Sequence, residues 1–223
     1  MELSELIHRF RVEANDKVEP FFIETEDVKT WLNDAVKEAC IRGRLLHESS
    51  NDAVCKIAVT AGSAHYPLHD SLYEITRIWF VPANGEVSHP LSLVSTGELD
   101  RIHYNNWAEQ HGKPGYAVQD DNSIRLVPMP NVDGIIALEG YRVPITDMVH
   151  DSDQPEINKI HHEQLVQWVL HKAFSVVDAE FFDPNRVAIA EQAFTDYFGS
   201  RPDSDLRRIT REDTPHHVQP FMP

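Results

Sequence analysis

The feature that most constrains this chain is a stripe of apolar residues, Val28, Trp31, Leu32, Ala35, Val36, Ala39 and Cys40. Spacing of three, four, seven and eight along thirteen positions is produced by a helix that buries one face. Thr25 opens it, and Glu26 and Asp27 follow where the helix dipole is positive. Most helices of this kind draw their stability from packing rather than propensity, so the stripe demands a partner surface elsewhere in the chain.

Part of that surface lies upstream. Ser4 is placed to cap a short helix carrying Leu6, Ile7 and Phe10, and Pro20 separates it from the second helix. The period then changes. Residues 54–60 and 71–81 are rich in β-branched and aromatic side chains, and a turn containing Gly62 and Pro67 parts them. Residues 116–119 and 124–128 flank Asp120-Asp121-Asn122-Ser123, a turn-forming tetrad, which predicts a hairpin. Residues 135–143 form a further strand closed by Pro144, and 98–110, with Trp107, read as a short helix.

Helical period returns near the end. Asp153, Gln154, Pro155 and Glu156 read as a capping box with proline in the first turn. Ile157, Ile160, Leu165, Trp168, Val169, Val176 and Val177 follow at helical spacing. Asp183-Pro184 starts another helix with Val187, Ala190, Phe194 and Tyr197, and Gly199 stops it. Helices at both ends with strands between them predict an α+β fold. In it, helices from 1–53 and 149–199 form a bundle, 54–148 is an inserted β-rich region, and 200–223 is an extended C-terminal arm. The arm holds Pro202, Pro215, Pro220 and Pro223 and no periodic apolar face, so it is expected to order only against a partner.

Charge narrows the function. Twenty basic against thirty-six acidic side chains give −16. Arg201, Arg207, Arg208 and Arg211 balance Asp203, Asp205, Glu212 and Asp213 in the arm, so the excess lies in the body. Nucleic-acid binding depends on cations that displace phosphate counterions, and this body repels phosphate. A wall past which DNA slides remains compatible with it. No apolar run has the length of a membrane span, and the opening MELSELIHRF lacks the basic-then-apolar order of a signal peptide. The chain is therefore expected to be made and assembled in a cytosol, with Cys40 and Cys55 as thiols and Cys40 acting as a small buried hydrophobe.

Thirteen histidines invite a search for metal ligands. His161, His162 and His171 cluster on one predicted helix, yet no His-Glu-x-x-His spacing occurs, and His161, in line with the buried stripe, reads as a core histidine. His216 and His217 lie in the arm. No Gly-x-Ser-x-Gly elbow or glycine-rich phosphate cradle is present, and Glu26-Asp27 and Asp120-Asp121 read as a helix start and a turn. Trp31 and Trp168 belong to apolar stripes and Trp79 to a strand; Trp107, beside Tyr104, Asn105 and Asn106, reads as a loop anchor more than a recognition surface. No catalytic residue, cofactor site or metal site is assigned.

Several segments, in order, carry a resemblance. Residues 31–40 resemble the first long helix of the head-to-tail adaptor (connector) proteins of tailed bacteriophages. Gly62, Tyr66-Pro67-Leu68 and 72–78 are similar to that family's first β segment, and Leu99-Asp100, Trp107, 112–116 and 124–130 to its middle block. Residues 141–144 resemble its closing strand, and Pro155, Ile157, Trp168, Ala173 and Phe174 its return into the bundle. The resemblance spans about 25–199 and implies a non-enzymatic virion protein at the portal vertex, made in the host cytoplasm. It implies a ring of copies, twelve in this family as a rule, that meets the portal on one face and tail or nozzle proteins on the other. DNA would pass through without specific binding. On this reading the arm docks on the portal, with Phe221 and Met222 as apolar anchors and Arg207, Arg208 and Arg211 pairing with acidic groups. Another connector piece, such as a stopper or tail-completion protein, stays open, as does a small hydrolase using dispersed carboxylates.

Overall fold

The computed structural model describes residues 1–102, 106–177 and 181–202. Helix α1 spans Leu3–Ala14 and α2 spans Thr25–Gly43. Next come β1 (Leu46–Glu48), a short helix α3 (Asp52–Cys55), β2 (Lys56–Val59), β3 (His65–Pro67), β4 (Leu72–Pro82), β5 (His89–Pro90) and β6 (Ser92–Leu93). Helix α4 (Thr96–Ile102) and a 3-10 turn (Trp107–Glu109) lead to β7 (His111–Gly112), β8 (Tyr116–Gln119), β9 (Ser123–Val127), β10 (Met129–Pro130) and β11 (Gly134–Arg142). A 3-10 segment, Lys159–Gln164, then runs into α5 (Leu165–Phe174), and α6 (Pro184–Phe198) completes the helices. This is the expected α+β arrangement, terminal helices with a β-rich insertion. The described residues divide into two compact units, Met1–Leu46 with Arg142–Pro202, and His47–Tyr141.

The helical unit is organised around α5, which packs against α1, α2 and α6. The α2 stripe delivers Val28, Leu32, Ala35, Val36, Ala39 and Cys40 to one core with Leu3, Leu6 and Phe10 of α1, Leu165, Val166 and Val169 of α5, and Phe194 of α6. Trp31 covers the edge of this core, half-buried. Each large side chain so buried contributes roughly 1.5–3 kcal/mol.

Helix starts differ from the sequence reading in instructive ways. Ser4 does not cap α1; the cap position is Glu2, whose amide donates to the Glu5 carboxylate at 2.8 Å. Leu3 is fully buried, so it has to lie inside the helix, and the start moves back accordingly. The first-turn amides of Leu3 and Ser4 donate to the carbonyls of Asp153 and Asp151. Nor do 153–156 form a capping box. The Asp153 carboxylate accepts the amides of Val149 and His150 at 2.8 and 2.7 Å, closing a backward turn. Those two bonds hold its pKa below the usual carboxylate range. Asn158 caps the 3-10 segment instead, accepting from the Ile160 amide. Ile160 is exposed, and Val176 and Val177 lie beyond the end of α5, exposed as well. At α6 the expectation agrees with the structure: Asp183 accepts the amides of Asn185 and Arg186, Pro184 occupies the first turn, and Gly199 ends the helix at φ +93°.

In the β unit, one sheet has the order β1-β11-β4-β5 with β2 also on β11, and a second has the order β3-β9-β8-β6. The hairpin read around 120–123 is present as β8 and β9, antiparallel, with Tyr116 opposite Val127 and Gln119 opposite Ile124. Residues 54 and 55, expected in a strand, end helix α3; Asn51 caps it by accepting the Ala53 amide. The two inner faces share a core that includes Phe80, Ile124, Leu126 and Ile136. Where β11 passes β4, a Cβ on Gly140 would stand 2.3 Å from the Glu74 carbonyl oxygen, so only glycine fits. Trp107 anchors a satellite cluster with Val94, Leu99, Val118 and Val127. Its Nε1 donates to Asp100 at 2.7 Å and the Arg125 guanidinium lies 4.7 Å from the ring centroid, which makes it a loop anchor. Tyr104 and Asn105 lie outside the described residues.

Candidate partner-docking site

The residues named for docking, Arg207, Arg208, Arg211, Phe221 and Met222, lie outside the described residues, as do His216 and His217. What the structure gives is the stretch that precedes them, the end of α6 and residues 199–202, and the side chains that hold it. Helix α2 brings Glu38 and Arg42 onto one side, a turn apart, beside the C-terminal end of α6. Arg42 Nε donates to Glu38 Oε1 at 2.8 Å, and both side chains are over nine-tenths buried. Nη1 of Arg42 donates to Thr195 Oγ1 at 2.9 Å and reaches the Gly199 carbonyl at 3.5 Å. The guanidinium lies 5.1 Å from the Trp168 ring centroid and 5.2 Å from that of Phe194. Arg201, just past the end of α6, places Nε 3.5 Å from Glu38 Oε1. A cation beside the last carbonyls of α6 also complements that helix's dipole. Sequence reading put Phe194 in the core but missed Glu38 and Arg42. Their signal was present, since a Glu and an Arg four apart favour each other on a helix, but nothing in the sequence said that the pair is buried.

The histidine cluster takes a different form from the one read in sequence. His162, not His161, is the buried one: Nε2 donates to the Ile157 carbonyl at 3.0 Å and Nδ1 lies 2.9 Å from the Met1 amine. The irregular 3-10 geometry of 159–164 shifts the inward-facing position by one residue. Burial lowers the pKa of His162. His161 faces the Tyr197 hydroxyl at 3.2 Å, and His171 faces the Val187 carbonyl at 3.3 Å. The three rings therefore turn to separate partners, and among the described residues no group of three or more His, Cys, Asp or Glu is placed to hold a metal ion.

A hollow of about 300 Å³ beside α2 is lined by Asn33, Asp147, Asp153 and Glu156 among others. Its carboxylates and Asn33 are engaged structurally. Asn33 brackets the backbone of Met148, Asp147 pairs with Lys37 at 2.8 Å, and Glu156 pairs with Arg142. No helix among the described residues is long and apolar enough to cross a membrane. Cys40 and Cys55 are buried, in different units.

A comparison with curated proteins finds no match. A comparison with family models does find one: the SU10 adaptor protein model matches residues 1–219. The match takes in the helical unit, the β insertion, Glu38 and Arg42, and the C-terminal segment to 219, which includes Arg207, Arg208 and Arg211 but not Phe221 or Met222. On that match, the chain belongs to the SU10 adaptor protein family of phage head-to-tail adaptors.

Proposed function

We propose that copies of this chain close into a ring beneath the portal, joining the capsid to the tail around the passage through which DNA moves. The observation that carries this reading is the family match over 1–219, which includes both units and most of the arm. Closure would use a heterologous interface, one patch of each copy meeting a different patch of the next, with twelve copies as the expected number. The arm would dock on the portal through Arg207, Arg208, Arg211, Phe221 and Met222, and tail or nozzle proteins would meet the opposite face. A net charge of −16 suits a wall that DNA slides past, because phosphates find no array of cations to condense on. The role needs no chemistry of its own, and it puts the protein in the virion at the portal vertex.

The test is to mix the purified chain with purified portal rings of the same phage and measure mass in solution, then image the product. A complex with a ring of adaptor density at the portal's tail-facing end is expected. A chain that stays apart from the portal at micromolar concentration rules the reading out.

A further inference from the structure

We infer that Glu38 and Arg42 form a latch that fixes the path of the chain just past α6, at residues 199–202. The bonds made by these two side chains converge on a short stretch at the end of α6. Arg42 reaches Thr195 and the Gly199 carbonyl, and Glu38 reaches Arg201. Gly199 is the natural swivel here: it sits at φ +93°, where a residue with a side chain is strained, and left to itself it would allow the following chain many directions. Clamping the residues on either side of a glycine removes that freedom before any partner arrives. A preoriented arm loses less entropy on docking.

Burial argues that the pair does more than hold the bundle together. Two charges over nine-tenths buried cost desolvation, and apolar side chains of the same volume often stabilise a core equally well. What apolar residues cannot supply is a planar fork that donates sideways to a carboxylate, forward to a hydroxyl and a carbonyl, and presents its face to Trp168 and Phe194. The guanidinium also ties Trp168 of α5 to the residues just past α6. The latch itself stands on these contacts, and its consequence for portal attachment rests on the arm reading given above.

The experiment compares the full chain with Arg42→Met, which keeps length and apolar contact but loses the fork, and with Glu38→Gln. Hydrogen exchange is read at the Gly199 amide, which donates to the Thr195 carbonyl at 2.8 Å, and at the Phe194 amide within α6. Faster exchange at Gly199 by about tenfold or more, with Phe194 unchanged, is expected in Arg42→Met. Portal attachment should weaken by a similar factor. Glu38→Gln, which retains the bonds from Arg42 to α6, serves if the methionine variant does not fold, and should loosen Gly199 to a smaller degree. Unchanged exchange at Gly199 overturns the latch. So does an equal loss of protection along the whole of α6, which would make the pair a general support of the bundle. If removing 203–223 leaves attachment intact, the arm reading fails while the exchange data still decide the latch. If that removal abolishes attachment but a loosened Arg42→Met chain attaches like the parent, the directional role fails.

Discussion

Cys40 closes the apolar stripe of α2, fully buried, and its thiol is pushed up from 9.0 to about 12. Burial is the main cause, the nearby Glu156 carboxylate adds to it, and Arg142 opposes it. The folded thiol therefore keeps its proton over a range in which the unfolded chain loses it. Unfolding releases a proton there, so stability is full below pH 9 and falls toward pH 12, by about 1.4 kcal/mol per unit at the steepest. Urea titrations at increasing pH should show this slope in the parent and a flatter one in Cys40→Ala. At pH 8 the folded thiol should also resist alkylation until the chain is unfolded. Gly140 poses the opposite case, a residue whose lack of a side chain is the point. Gly140→Ala would drive a Cβ against the Glu74 carbonyl at 2.3 Å, and a loss of roughly 2–4 kcal/mol is expected from denaturant midpoints of the β unit.

Helix boundaries show how far local sequence signals reach at the scale of an element. Asp183 with Pro184 is a strong start signal because both of its devices act within three residues, and the structure keeps both. Asp183→Ala should cost about 1 kcal/mol and speed exchange at the Asn185 and Arg186 amides, while Asp183→Asn should retain most of the stability. The tetrad between β8 and β9 was legible for the same reason. The Asp153–Glu156 pattern was misleading because Asp153 can serve amides on either side of it, and it serves those behind. Likewise Ser4 has the right chemistry for a cap, but burial of Leu3 sets where α1 begins. The shift from His161 to His162 follows from a 3-10 segment, whose three-residue turn moves the inward face relative to an α-helical count.

At the scale of the molecule, the balance of twenty basic and thirty-six acidic residues is the dominant property. Duplex DNA should show no retention by this chain in a mobility assay at physiological salt; tight binding would contradict a sliding wall. A chain ending at Pro202 keeps every described residue of both cores, so it should melt within a few degrees (~3 °C) of the parent. The same chain should fail to comigrate with portal rings. Comigration of the shortened chain would remove the arm from the docking interface.

The order helix, strand, helix was determined by the sequence alone, because the 3.6 and 2 periods of apolar residues are local statements about which face is buried. The acidic balance and the absence of familiar catalytic spacings were legible in the same way. The pairing of β11 with both β2 and β4, the close approach at Gly140, and the burial of Glu38 and Arg42 were decided only by tertiary structure. Each depends on segments far apart in the chain meeting. Thr195 lies 153 positions from Arg42, and no pattern read along α2 reports on a partner at that distance.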